Sequence, residues 1–226
     1  MAVLPWLKSV PRFLLLALYG LLAIAEANDT YPILPIADFT RNDLSQWKAE
    51  RFSGETQYQL QENQAGITVL CAHSKRSASG LVREISVDLE KTPYLNWSWR
   101  IEHAFQDHDE KTKAGDDYPA RVYVLVDDGL FFWQTKALNY VWAGQSPVDS
   151  VWISPYISDQ VRLIAIESGN AKSRQWLHEK RNVLEDLKRA FQKKLTRIDA
   201  VAIMTDTDNT GKQAQACYGD IFFSAQ

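Results

Sequence analysis

The chain has 226 residues, 46% of them hydrophobic, enough for one sizeable core. Its 25 basic and 28 acidic side chains leave a formal net charge of −3, which argues against a nucleic-acid partner, whose phosphates need a basic face. Cys71 and Cys217 are the only cysteines and no C-x-x-C spacing occurs, so a cysteine zinc site is excluded.

In chain order, Lys8 and Arg12 precede an uncharged apolar run from Phe13 to Ala25, and Ala25-Glu26-Ala27 follows. Charge, a short apolar core and small residues at the cut are the three parts of a secretory signal, with cleavage expected before Asn28. The run is shorter than the roughly 20 apolar residues of a spanning helix. No Cys lies near the cut to carry a lipid, and no later segment is long and apolar enough to cross a membrane. The expectation is a secreted or periplasmic protein, without a stable membrane anchor after cleavage, whose residues 28–226 form one domain. That part carries 23 basic against 27 acidic side chains, a net −4. In an oxidising compartment Cys71 and Cys217 can pair; two buried thiols are the other reading.

Beyond the signal the sequence is a series of short β-branched and aromatic runs between turn residues. Thr56 to Leu60 alternates, and Ile67 to Ala72 is a compact apolar run. From Leu81 to Leu89, Leu81, Arg83, Ile85, Val87 and Leu89 share one face. Leu95, Trp97 and Trp99 share a face in the next run. Arg121 to Val126, Leu138 to Trp142, Val161 to Ile166, Val201 to Met204 and Tyr218 to Phe223 complete the strands. Residues 106–118 and 144–159 are polar and predict loops. At Asn182 the period changes: Val183, Leu184, Leu187 and Phe191 form one helical stripe, with Asn182 as N-cap, Glu185 and Asp186 early and Lys193 and Lys194 late. The pattern predicts a mainly β, jelly-roll-like antiparallel β-sandwich with one amphipathic helix near residues 182–194.

Five ordered motifs stand out: Ser77-Ala78-Ser79-Gly80-Leu81, Trp97-Ser98-Trp99-Arg100, the run from Gly115 to Tyr123, Ala137-Leu138-Asn139-Tyr140-Val141-Trp142, and the run from Met204 to Gly211. Together, over Trp47 to Phe223, they resemble a bacterial family catalogued as a domain of unknown function, number 3047. The resemblance implies a secreted bacterial protein and supplies no activity and no catalytic residues. At the level of fold the domain also resembles galactose-binding-type jelly rolls.

Several groups carry chemistry. Asp116 and Asp117 stand directly before a predicted strand, where they can orient a ligand or brace a turn. Asp206, Asp208 and Asn209 lie in an oxygen-rich loop, which is either a hydrogen-bonded turn or a Ca²⁺ site with Asp116 or Asp117 joining across space. Thr210 and Cys217 break the EF-hand pattern there. Trp133, Tyr140, Trp142, Trp152 and Tyr156 form either a sugar-stacking platform or core. Arg83, Arg100, Arg121 and Arg162 need acidic partners, or line a site for an acidic sugar. The four His residues show no zinc spacing, and no nucleophile elbow or phosphate loop occurs.

The expected ligand-binding set is Asp116, Asp117, Tyr118, Arg121, Asn139, Tyr140, Trp142 and Arg100. The expected function is a non-catalytic secreted binding module for a carbohydrate-like polar ligand, a glycan or an acidic polar small molecule. The alternatives are a glycan-active hydrolase or lyase using paired Asp residues, and an envelope scaffold.

Overall fold

A computed structural model describes residues 32–127 and 135–226. The predicted signal, its cleavage point and Trp133 lie outside the described residues. Among the described residues no helix is long and apolar enough to cross a membrane.

The chain forms a mainly β, jelly-roll-like sandwich of two seven-stranded sheets. The first sheet contains β1 (Ile33–Ala37), β3 (Gln57–Glu62), β4 (Thr68–Lys75), β6 (Tyr94–Ile101), β11 (Leu177–Asn182), β13 (Gln213–Tyr218) and β14 (Ile221–Ser224). The second, in spatial order, is β2 (Lys48–Ser53), β5 (Ala78–Asp88), β12 (Arg197–Asp206), β7 (Arg121–Val126), β8 (Lys136–Ala143), β10 (Val161–Ser168) and β9 (Val151–Ile153). All pairings are antiparallel except β8 with β10, which run parallel.

Alternation decides which face each strand buries. In β6, Leu95, Trp97, Trp99 and Ile101 point into the sandwich and Asn96, Ser98 and Arg100 point out. Opposite them, Leu138, Tyr140 and Trp142 of β8 point in. The two strands meet through aromatic rings: Trp97 stacks on Tyr140 at 5.5 Å, and Trp99 lies 5.8 Å from Trp142. Offset and tilted ring pairs of this kind add to the area they bury.

The predicted helix is α1 (Val183–Phe191). Asn182 caps it by accepting from the Glu185 N–H, and Val183 and Leu187 are buried. Asp186 docks it, accepting two bonds from Arg181 at 2.9 Å and one from the Tyr140 hydroxyl at 3.0 Å.

Cys71 and Cys217 lie directly opposite in the β4–β13 pairing and form a disulfide, their Cα atoms 4.0 Å apart. The bond spans a sequence separation of 146 residues. In a chain-entropy picture a cross-link over so long a loop stabilises by about 5 kcal/mol at most. Reduction, or the double change Cys71→Ala with Cys217→Ala, should therefore lower the urea midpoint, by a loss of several kcal/mol in unfolding free energy, while far-UV dichroism keeps its β form. An unchanged midpoint would show that the bond closes nothing the sheets do not already hold.

Candidate functional site

The two acidic segments singled out in the sequence do meet. Met204 of β12 lies opposite Arg121 of β7, which carries Asp206 at the end of β12 to the loop that enters β7. Arg121 Nε donates to Asp206 Oδ1 at 2.8 Å, and Nη2 donates to Oδ2, a two-pronged pair. Nη2 also donates to the Asp116 carbonyl, and the Tyr118 N–H donates to Asp206 Oδ1 at 3.2 Å. Asp117 holds the neighbouring turn. Its Oδ1 accepts from the backbone and side-chain amides of Asn209, both at 3.2 Å. Its Oδ2 accepts from the N–H and hydroxyl of Thr210, both at 2.6 Å. Gly115 lets this loop close up, since a Cβ there would collide with the Asp109 carbonyl.

These groups are sealed from solvent. Arg121 is 3% exposed, Asp206 2%, Asp117 1% and Tyr118 0%. The expectation of an accessible hollow lined by them is corrected: their hydrogen-bonding capacity is turned inward, and the loops they hold cover them. Of Asp116, Asp117, Asp206 and Asp208, the carboxylates from which a catalytic pair could be drawn, the first three are buried and Asp208 is half-buried. One oxygen each from Asp117, Asp206 and Asp208 lie within 4.8 Å of one another. A cation on this set would share Asp206 with the guanidinium and compete with the Asn209 and Thr210 donors for Asp117. The arrangement reads as a lock between loops. Burial drives the Asp206 carboxyl up, to about 7, against the pull of Arg121. Burial likewise raises Asp116 and, with the nearby Asp117, raises Asp208.

The remaining expected ligand residues are elsewhere. Tyr140 and Trp142 are core residues with no exposed surface, so they offer no stacking platform; the Trp142 indole N–H donates to the Gly169 carbonyl at 3.0 Å. Asn139 is also buried, on the opposite face of β8. Of the loop aromatics, Trp152 is buried beside Tyr118, with ring centroids 6.4 Å apart, and only Tyr156 is well exposed. Its hydroxyl donates to Asn209 Oδ1. Arg83 donates to the Ile36 carbonyl and Arg162 to the Ser158 carbonyl, so neither pairs with the acidic loops. Arg100 lies on the other sheet, paired with Glu102 at 2.5 Å.

That pair borders the feature that sequence reasoning missed. The outward face of the second sheet is roofed by loops through Tyr118 and Trp152, packed on Val141, Leu163 and Ala165. Among the described residues, the outward face of the first sheet is open. It holds a hollow of about 350 Å³ lined by Gln57, Gln59, Gln61, His73, Gln215 and Arg100, with the disulfide in its floor. Register explains the lining. Gln59 lies opposite Cys71, Cys71 opposite Cys217, and Cys217 opposite Arg100. One step along, Gln57 lies opposite His73 and His73 opposite Gln215. The four glutamines are exposed, and their side-chain amides make no hydrogen bond among the described residues. A second hollow of about 590 Å³ adjoins on the same face, with Asn96, Ser98, His178 and the half-buried Trp176. The signal for this face was present in the sequence as Gln57-x-Gln59-x-Gln61, three amides at strand spacing.

Residues 45–222 match the family described as Protein of unknown function (DUF3047), and the chain belongs to that family. No curated protein sequence matches it. Among solved structures, it is similar to the family 11 carbohydrate-binding module of the cellulase Lic26A-Cel5E of Clostridium thermocellum, at 11% identity and a TM-score of 0.45, over 85% of this chain and 94% of that one. It is similar to the xyloglucanase domain of NopAA from Sinorhizobium fredii, at 9% identity and a TM-score of 0.44, over 79% and 92%. It is also similar to TmCBM61 in complex with β-1,4-galactotriose, at 12% identity and a TM-score of 0.38, over 82% and 92%. None of these likenesses reaches a TM-score of 0.5, and none bears on what this chain binds.

The lock generates a stability prediction. Asp206→Ala leaves the Arg121 charge buried without its partner, so unfolding in urea at pH 8, above the raised titration of the native Asp206 carboxyl, should show a loss of about 3–5 kcal/mol. The pH dependence has a definite sign. Burial raises the native Asp206 carboxyl from the ordinary 3.8 to about 7. The native state therefore binds more protons across that window, and the contribution of this carboxyl is fullest below 3.8 and is lost as pH rises towards 7. Urea midpoints measured from pH 4 to pH 7 should fall less steeply with rising pH in Asp206→Asn than in the parent.

Proposed function

We propose that this domain is a secreted or periplasmic, non-catalytic binding module that takes a carbohydrate-like polar ligand on the outward face of its first sheet. The observation that carries the reading is the open hollow lined by Gln57, Gln59, Gln61 and Gln215, whose amides have no protein partner among the described residues. An amide both donates and accepts, as a sugar hydroxyl does, and it carries no charge whose desolvation would oppose binding. Strands favour β-branched and aromatic residues, so glutamine at each of these three outward positions of β3 is not explained by strand propensity. Trp176 supports the reading from the adjoining hollow, where a half-buried indole offers a sugar ring an apolar face beside Asn96 and Ser98.

Binding without turnover is supported by the charges of the amide-lined hollow, while the adjoining hollow also holds Glu179 and Asp220. In the amide-lined hollow the only carboxylate is Glu102, which pairs with Arg100 at 2.5 Å and Arg174 at 3.3 Å. Glycoside hydrolysis needs two carboxyl groups facing each other across the bond to be cut. Export is supported by the Cys71–Cys217 disulfide, since such bonds persist in oxidising compartments.

A glycan array run with and without EDTA, with product analysis on each hit, tests the reading. A neutral or acidic glycan should be retained unchanged, and retention should survive EDTA. Each hydrogen bond lost is worth about 1 kcal/mol. The triple change Gln57→Ala, Gln59→Ala and Gln215→Ala should therefore weaken the hit by more than about tenfold, with no change in Tm. Full retention by that variant would place the ligand elsewhere.

A further inference from the structure

We infer that the ligand of this face is an acidic polysaccharide, with Lys75 and Arg76 at one end of the face holding a carboxylate or sulfate group. The inference rests on the binding-module reading above and names the class of glycan it takes.

The strand pairing sets out the path. On β4 and β13 the outward residues pair as Cys71 with Cys217, His73 with Gln215, and Lys75 with Gln213. Residues two apart on a strand are separated by about 7 Å, so the three rows cover about 14 Å from the disulfide to Lys75. The amide-lined hollow occupies the first two rows. A further hollow of about 660 Å³ begins at the third, where Lys75, Arg76, Lys212 and His103 join Gln213. An extended sugar chain lying along β4 therefore leaves neutral amides and arrives among cations.

The cations at that end are not equivalent. Lys212 is engaged by Asp107. Lys75 and Arg76 are exposed and make no ion pair among the described residues. Their lack of acidic partners is notable in a chain whose acidic side chains outnumber its basic ones.

Arg76 is also held in place. It lies in the β4–β5 turn with φ +51°, a left-handed backbone that glycine or asparagine enters more readily than a long side chain. The turn is fixed on both sides. The Arg76 N–H donates to the Lys212 carbonyl at 3.1 Å, and the buried Ser77 beside it shares hydrogen bonds with Ser74 and Thr207. Arg76 Nε donates to the Gly211 carbonyl at 3.3 Å. This anchors the root of the guanidinium and leaves its two terminal nitrogens without a protein acceptor among the described residues. A planar fork of that kind matches the two oxygens of a carboxylate or sulfate.

Two polymer pairs test the inference by calorimetry at low salt: polygalacturonate against its methyl-esterified form, and dextran sulfate against dextran. At least one acidic polymer should bind about tenfold or more tightly than its uncharged counterpart, and added salt should erase the difference. The preferred acidic polymer identifies the group as carboxylate or sulfate. In the double change Lys75→Gln with Arg76→Asn, binding of that polymer should drop to the level of the uncharged one. Asparagine suits the left-handed backbone at position 76, and unchanged binding of the uncharged polymer reports an intact fold. If the variant binds the acidic polymer as well as the parent does, or the parent binds both members of each pair equally, the anion end is overturned and the binding module stands. If the parent binds none of the four polymers, the anion end falls, and the glycan array decides the binding module.

Discussion

The buried pair of Arg121 and Asp206 is the constraint on which this end of the molecule depends. Both residues are at most 3% exposed, and either would be costly alone in the interior. Together they join the entry of β7 to the exit of β12, and they draw in the Asp116 carbonyl and the Tyr118 N–H. The Tyr218 hydroxyl adds a link to the first sheet, donating to the Met204 carbonyl at 2.7 Å and sharing a bond with Thr205 at 2.9 Å. The pair thus joins two loops, and the Tyr218 hydroxyl ties the strand that carries Asp206 to the first sheet.

Around it, other carboxylates serve as braces for backbone. Asp117 holds Asn209 and Thr210. Glu110 accepts from the N–H groups of Gly144, Gln145 and Ser146 and fixes the loop that leads to β9. These acids look like chemistry in a linear sequence because they are dense, and dense carboxylates are also what irregular loops need to satisfy their N–H groups. Closing these loops covers the outward face of the second sheet. Among the described residues the first sheet has no such roof, and the recognition surface proposed here is the one that these loops leave uncovered.

The regular elements were largely legible in the sequence. The alternation in Leu95 to Ile101 matches β6, Arg121 to Val126 is β7, and the stripe after Asn182 is α1. Strands that bury little escaped. β2 is exposed along its whole length and pairs with β5 at the sheet edge, while β11 alternates only between half-buried and exposed residues. Such strands are held by backbone bonds to a neighbour, and those bonds leave no hydrophobic period behind. The run Tyr218 to Phe223 divides at Gly219-Asp220 into β13 and β14, a break that its apolar composition conceals.

Local sequence by itself determined the period of each strong strand, the cap and stripe of the helix, and the membership of the family, because these depend on residues near one another in the chain. Only the tertiary structure decided which side of each residue is covered. It placed Tyr140 and Trp142 in the core, shut Asp117, Arg121 and Asp206 behind loops, set Cys71 beside Cys217, and brought glutamines from β3 and β13 onto one open face. Exposure depends on what packs above a residue, and here the packing partner commonly lies far away in the chain.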